Sequence, residues 1–145
     1  MSTMSPTKLP VWFWVIAAIA LLWNLIGVYA YWADVTMSEE AIAKMSAVEQ
    51  ELYNARPSWL TGAYAIAVFA GVLGSVALVL RRNYAMPLFG LSLAAIIIQM
   101  GYVLFGMNAI ALLGASTAIF PAVITIIGVF LLWFSMQSKS KGWLQ

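Results

Sequence analysis

The chain has 145 residues, of which 64% are hydrophobic and only 8% are charged, and its formal net charge is +2. Soluble domains carry about 25% charged residues, so this composition excludes an ordinary soluble protein and predicts one integral membrane domain over residues 1–145. Cys and His are both absent, which excludes disulfides and predicts no metal site and no haem. No basic cluster is large enough to predict a nucleic-acid partner.

Four apolar runs without any charge follow one another, at residues 11–32, 59–80, 85–107 and 115–136. Each run is long enough to cross a hydrocarbon core of about 30 Å as a helix, so the lipid bilayer is the expected surrounding. The second, third and fourth runs are joined by short connections, which place successive helices side by side in opposite directions. We therefore predict an all-α membrane protein with four transmembrane helices in an antiparallel bundle.

The segment between the first and second runs has a helical pattern of its own. Its apolar residues recur at spacings of three and four, at Ala41, Met45, Val48, Leu52 and Ala55. Thr36 followed by Glu39 fits a capping box, and Pro57 disfavours helical geometry at the residue before it. These features predict an amphipathic outer helix at about residues 37–55. It is either a lid over a cavity or a solvated connector whose apolar face rests on lipid headgroups.

Charges alternate in sign from one connection to the next. Segment 33–57 holds all five acidic residues and two basic ones, a net charge of −3, whereas the other ends hold five basic and no acidic residues: Lys8, Arg81, Arg82, Lys139 and Lys141. Short cytoplasmic loops of membrane proteins are enriched in Lys and Arg. We therefore expect both termini to be cytoplasmic and the acidic loop 33–57 to lie outside.

Small residues form a stripe on the second helix. They recur at a spacing of four, at Ala63, Ala67, Gly71 and Ser75. Small side chains let helix backbones approach closely in lipid. The stripe predicts helix packing, and its partner is helix 1, helix 3 or another subunit. We favour a contact within the chain.

Polar side chains interrupt the apolar runs at similar depths. They are Asn24, Tyr64, Gln99, Tyr102 and Thr125. Gln99 and Tyr102 are three residues apart and so share a helix face. This layer has no group that ionises near neutrality, so as a ligand site it suits an uncharged polyhydroxy or amide-containing solute. The alternative is hydrogen bonding between helices, which contributes about 0.6 kcal/mol per contact in membrane bundles.

Residues that commonly carry catalysis or proton coupling are absent from the four runs. None contains Asp, Glu, Lys or Arg, whereas proton-coupled carriers usually place a carboxylate within the membrane. The sequence shows no paired nucleophile and base and no Gly-rich phosphate loop. We therefore expect no enzymatic activity and no cofactor.

Three segments, LPVWFWVIAAIALLWNLIGVYAYWADVTM, ARPSWLTGAYAIAVFAGVLGSVALVLRR and WFSMQSKSKGW, resemble a family of small four-helix proteins of the bacterial inner membrane. Members are often catalogued as sugar transporters. The resemblance implies a transporter or channel for a small uncharged, sugar-like solute in the bacterial inner (plasma) membrane. Because four helices enclose little space, we expect it to act as a homo-oligomer or in a larger membrane complex. The alternative is a non-enzymatic accessory or structural subunit that packs against another membrane protein or binds lipid.

Overall fold

The computed structural model describes residues 9–145, and all regular elements in that range are helical. In chain order they are α1 (Val11–Val35), α2 (Glu39–Ala43), α3 (Ala47–Ala55), α4 (Ser58–Val79), α5 (Ala85–Gly101), α6 (Ala109–Leu113) and α7 (Ile119–Ser140). A π-helical turn, Tyr102–Gly106, continues α5, and a 3-10 turn, Ala115–Ala118, leads into α7. Lys8, which contributes to the predicted charge pattern, lies outside the described residues.

Four of these helical stretches are long and apolar enough to cross a membrane: Val11–Val35, Ser58–Val79, Ala85–Gly106 and Ala115–Ser140. This confirms that each of the four apolar runs forms a helix long and apolar enough to span a membrane. The first and last helices continue for three and four residues beyond the predicted limits of 32 and 136, because backbone hydrogen bonding does not stop where the side chains become polar. Asp34 therefore lies in the last turn of α1.

α4 is the central helix of the bundle. It packs against α1 on one side and α5 on the other, and α7 packs against α5. Of its most apolar stretch, 44% is buried, against 17% or less in each of the other three spans. The small residues of α4 explain this position, since Ala67, Gly71, Gly74, Ser75 and Ala77 are all buried.

The end of the bundle that carries Arg81, Arg82, Lys139 and Lys141 is named here the basic end. Both α4 and α7 terminate there in a Schellman motif, in which a residue just beyond the helix adopts positive φ. That residue is Gly142 (φ 76°) after α7 and Arg81 (φ 59°) after α4. Gly adopts this conformation freely, whereas Arg81 is held in it by other contacts.

The last residues of the chain bind the α4–α5 connection. The Gln145 amide donates to the Arg81 carbonyl oxygen (2.8 Å), and the Asn83 amide donates to the Gln145 carbonyl oxygen (2.7 Å). The Arg81 side chain donates through Nε to the Trp143 carbonyl oxygen (2.9 Å). Trp143 and Leu144 are buried, so this segment is part of the packed core.

Aromatic rings join α1 to α7 at the basic end. The Phe13 ring lies 5.6 Å from the Phe134 ring and 5.6 Å from the Trp143 ring, measured between centroids. Trp12 packs edge-on against Phe134 at 6.1 Å. α1 and α7 thus meet at this end of the bundle, although neither packs mainly against the other along its length.

The opposite end, formed by residues 34–56, is named the acidic end. The prediction of one continuous outer helix at 37–55 is wrong, because the structure has two separate helices, α2 and α3. The break follows from Ser46, whose side chain accepts from the Glu49 amide while the Glu49 side chain accepts from the Ser46 amide. This capping box starts a new helix at Ala47.

The predicted capping box of Thr36 and Glu39 is also wrong. The Thr36 hydroxyl instead donates to the Trp32 carbonyl oxygen (2.6 Å) at the end of α1. Ser38, two residues later, caps α2 by accepting from the Ala41 amide (3.1 Å). With Ser38 as the N-cap, Glu39 is the first residue of α2 and is not at the third position that a capping box requires.

An ion pair fixes the acidic end to the bundle. Arg56 Nη1 lies 2.9 Å from Asp34 Oδ2, and both side chains are about four-fifths buried. The Arg56 guanidinium also lies over the Tyr53 ring, 4.4 Å from its centroid. α1 is thereby tied to the residues between α3 and α4, and Pro57 follows directly as the N-cap of α4.

Candidate ligand cavity within the bundle

Asn24, near the middle of α1, joins this helix to α4 through a hydrogen bond to Ser75, about one turn before the end of α4. Its Nδ2 donates to the Ala20 carbonyl oxygen (2.8 Å) and to Ser75 Oγ (2.9 Å). The Ser75 hydroxyl in turn donates to the Gly71 carbonyl oxygen (2.9 Å). One of the two amide protons of Asn24 is therefore used between helices, and this part of the polar layer serves packing.

Gly71 lies where three helices meet. A Cβ atom at this position would overlap Asn24 Oδ1 of α1 and would lie 3.4 Å from Ser92 Oγ of α5. The Ser92 hydroxyl donates to the Ala67 carbonyl oxygen of α4 (2.6 Å). The predicted packing stripe thus makes its contacts within the chain at Ala67, Gly71 and Ser75, whereas Ala63 is only half-buried.

A cavity of about 320 Å³ lies in the half of the bundle nearer the acidic end, with walls from α1, α4, α5 and α7. Its polar lining consists of Asn24, Tyr64, Ser92 and Gln99. Three of the five predicted ligand-binding residues are therefore brought together around one space. They come from three different helices, so the tertiary packing creates this group.

The rest of the cavity wall is apolar. It consists of Trp23, Ile26, Gly27, Ala30, Ala67, Val68, Ile96, Met100, Phe120 and Ile124. None of the lining side chains is charged. The chemistry of this wall accepts an uncharged group and leaves an ionic one without a counter-charge.

Two polar side chains of the cavity differ from Asn24 in having no protein partner. Asn24 and Ser92 hydrogen-bond to neighbouring helices, whereas neither the Gln99 amide nor the Tyr64 hydroxyl bonds to another described residue. Both residues are half-buried. They therefore offer two donors from an amide, a hydroxyl and several acceptor lone pairs to whatever occupies the cavity.

Tyr102 and Thr125, the other two predicted ligand residues, do not line the cavity. The Tyr102 ring packs edge-on against Trp59 at 4.9 Å and covers Gly106 in the π-helical turn. The Thr125 hydroxyl donates to the Pro121 carbonyl oxygen one turn earlier (2.8 Å). The Thr125 bond is local to α7, whereas the packing of the Tyr102 ring against Trp59 joins two helices and is not revealed by the sequence.

Sequence reasoning did not single out Ser92, Trp23 or Phe120. Ser92 precedes Gln99 by seven residues, or two helical turns, and this spacing places both on one face of α5. That signal is present in the sequence. Trp23 and Phe120 carry no comparable signal, because aromatic residues within an apolar run are equally suited to a lipid-facing position.

A second, smaller hollow of about 200 Å³ lies at the acidic end, where α3 approaches α6 and the end of the third span. Its lining includes Leu52, Tyr53 and Arg56 from the α3 side and Val103 and Met107 from the other. Part of the apolar face of α3 is thus turned toward the bundle.

No protein-family model, curated protein or solved structure matches this chain. The cavity and its two unpartnered polar side chains are therefore the features on which a function rests.

Proposed function

We propose that this chain is a non-enzymatic protein of the bacterial inner membrane that binds and transfers a small uncharged solute of the sugar-like class. The observation that carries this proposal is the cavity between the helices, into which the Gln99 amide and the Tyr64 hydroxyl bring unpartnered polar groups. Both side chains are half-buried, and neither would have to leave a protein partner to bind a ligand. A ligand hydroxyl can therefore donate to or accept from either side chain.

The size and charge of the cavity support a small neutral ligand. Ligand pockets usually measure about 300–1,000 Å³, so a cavity of about 320 Å³ is at the small end of this range. Its lining has four polar residues and no charged one. Hydroxyl or amide groups suit this lining, whereas a phosphate or carboxylate would lose its hydration without gaining a cation.

We further propose an antiparallel bundle with both termini in the cytoplasm and segment 33–57 outside. Arg81, Arg82, Lys139 and Lys141 lie at one end of the bundle and all five acidic residues lie near the other, which is the asymmetry that the positive-inside rule requires. In this orientation the cavity lies in the outer half of the membrane. The segment with α2 and α3 is then an outer amphipathic connection.

Transfer across the membrane requires more than the cavity of a single chain. The ring cluster of Phe13, Phe134 and Trp143 closes the basic end of the bundle. We therefore propose that transfer occurs in a homo-oligomer or through separation of α1 from α7. No backbone hydrogen bond joins α1 to α7 among the described residues, so α1 can separate from α7 at this end by breaking side-chain contacts.

The second candidate function is an accessory subunit that packs against another membrane protein. The observation that favours it is the largely uncovered surface of the last span, of which only 11% is buried. Exposed large residues on α7 include Ile119, Ile126, Val129 and Trp133. Lipid covers such a surface as well as a protein does, so this candidate ranks second.

The proposed function is tested by uptake into vesicles that contain the purified protein. Neutral radiolabelled sugars and polyols should enter faster than into protein-free vesicles, and Gln99→Leu should lower this uptake about tenfold, the equivalent of 1.4 kcal/mol. Gln137→Leu is the matched control, because Gln137 is exposed on α7 outside the cavity. Absence of uptake, together with a membrane protein that copurifies in a fixed ratio, would favour the accessory role instead.

A further inference from the structure

We propose that the ligand reaches this cavity sideways from the bilayer, between α1 and α7, and is an uncharged amphiphile. Its hydroxyl-bearing head pairs with Gln99 and Tyr64, and its aliphatic part lies in the gap between the two helices. This inference rests on the proposed function, because it names the substrate class and the entry route of the same cavity. Alkyl glycosides and monoacylglycerols belong to this class.

The gap between α1 and α7 is a consequence of how the four helices pack. α1 packs against α4 and α7 packs against α5, whereas the rings of Phe13 and Phe134 join α1 to α7 only at the basic end. Away from that end, Ile26 of α1 and Phe120 of α7 both line the cavity. They are nevertheless 62% and 64% exposed. The cavity wall is therefore incomplete at these two residues.

The gap lies at the depth of the membrane interior. Ile26 is nine residues before the end of α1, which places it about 14 Å from the acidic end at 1.5 Å per residue. Phe120 lies in the first turn of α7, close to the interface. Both residues belong to helices that are long and apolar enough to cross the bilayer. In the proposed orientation the gap therefore runs from the interface inward and faces lipid chains.

The two parts of the lining decide the chemical class of the ligand. Gln99 and Tyr64 supply hydrogen-bonding groups, whereas Trp23, Ile124 and Phe120 offer apolar surface that a free sugar would leave uncovered. A phospholipid head would bring a phosphate to a wall without any charged residue. An uncharged head joined to an aliphatic chain suits both parts of the lining. The head hydrogen-bonds to the polar side chains, and the chain is buried against the apolar ones.

The test uses the full chain in phosphatidylcholine nanodiscs and a monoacylglycerol that carries a photoreactive diazirine in its chain. We expect saturable labelling of residues that line the cavity, located by mass spectrometry. Unlabelled monoacylglycerol should compete with this labelling at much lower concentrations than free glucose does. Gln99→Leu should weaken the apparent affinity about tenfold, the equivalent of 1.4 kcal/mol, with Gln137→Leu as its control.

The entry route is tested by narrowing the gap. Ile26→Trp should lower the rate of saturable labelling about tenfold, a change equivalent to 1.4 kcal/mol. Ile19→Trp should leave this rate unchanged. Ile19 is a matched control, because it is 60% exposed and lies on the same face of α1 two turns away, outside the cavity. Both residues face lipid, so both variants should keep the melting temperature of the wild type.

Each other outcome contradicts a defined part of the proposal. Equal effects of Ile26→Trp and Ile19→Trp would exclude the lateral route. Labelling that does not saturate and covers all exposed helix faces would show that the probe acts only as surrounding lipid, and the inference would be wrong. If the protein took up free sugars but did not bind monoacylglycerol, this inference would be overturned and the proposed function would stand. If neither free sugars nor monoacylglycerol bound to the protein, both this inference and the proposed function would be overturned.

Discussion

Gly71 determines how closely three helices approach one another. The place of a side chain at this position is already taken by Asn24 of α1, and Ser92 of α5 lies next to it. Small residues at helix contacts in lipid allow such close approach. The stability of the bundle should therefore depend on Gly71 more than on any glycine of α4 that faces open space.

We predict that Gly71→Ala lowers the stability of the bundle by about 1–3 kcal/mol, the usual cost of extra volume in a packed core. Gly62→Ala, in the same helix, is the control because nothing lies within 4 Å of the added atom. The control should be neutral or stabilising by about 0.5–1 kcal/mol, since Gly is unfavourable within a helix. Thermal unfolding in detergent measures both. Equal midpoints for the two variants would show that the packing around Gly71 is loose.

Asn24 and Ser75 are expected to be coupled energetically. Their hydrogen bond of 2.9 Å joins α1 to α4, and such bonds in membrane bundles contribute about 0.6 kcal/mol and up to about 1.7 kcal/mol. A double-mutant cycle of Asn24→Leu and Ser75→Ala should return a coupling energy in this range. A coupling of zero would mean that the Ser75 bond to the Gly71 carbonyl oxygen is the one that matters.

At the scale of elements, helix ends determine how the bundle closes. Arg81 stands at the positive φ that ends α4, and its side chain binds the residues that follow α7. Arg81 therefore stabilises the ends of both α4 and α7. The adjacent Arg82 is exposed and makes no side-chain bond to another described residue.

We predict that Arg81→Ala destabilises the protein by about 1.5 kcal/mol, the lower value for a hydrogen bond with a charged donor. Arg82→Ala should have little effect and serves as the control. Arg81→Gly should be less harmful than Arg81→Ala, because Gly adopts positive φ without strain. Melting temperatures in nanodiscs test this order. If Arg82→Ala were the more harmful change, the C-terminal contact would be unimportant for stability.

The capping box of Ser46 and Glu49 makes α3 a separate element. Substitution of a Ser cap by Ala costs about 1 kcal/mol of helix stability. We predict that Ser46→Ala speeds hydrogen exchange in Ala47–Ala55, whereas Thr36→Ala does not alter it. The reverse result would restore the single outer helix that the sequence suggested.

At the scale of the whole molecule, the separation of basic from acidic residues is the basis of the proposed orientation. The chain contains no Cys, so single Cys probes report cleanly. We predict that a membrane-impermeant thiol reagent, added outside intact cells, labels the Ser46→Cys variant and leaves the Ser140→Cys variant unlabelled. Both Ser46 and Ser140 are exposed. Labelling of Ser140→Cys alone would place the acidic end in the cytoplasm.

The candidate site was predictable in part. Asn24, Tyr64 and Gln99 were identified because a polar side chain within an apolar run needs a partner, and all three line the cavity. The same reasoning also selected Tyr102 and Thr125, whose polar groups lie elsewhere. Depth along a helix is readable from residue number, but the direction of a side chain around the bundle depends on which helices are neighbours.

The sequence by itself determined the four spans, because the charge-free runs are a direct consequence of the cost of placing charges in lipid. It also determined the separation of basic from acidic ends. Only the tertiary structure decided that α4 is central and that Asn24 is held by Ser75 while Gln99 remains without a protein partner. It also decided that the exposed residues Ile26 of α1 and Phe120 of α7 both line the cavity. The physical reason is that every face of an apolar helix can be covered equally well by lipid. The arrangement of the helices therefore depends on close packing between particular small and polar residues.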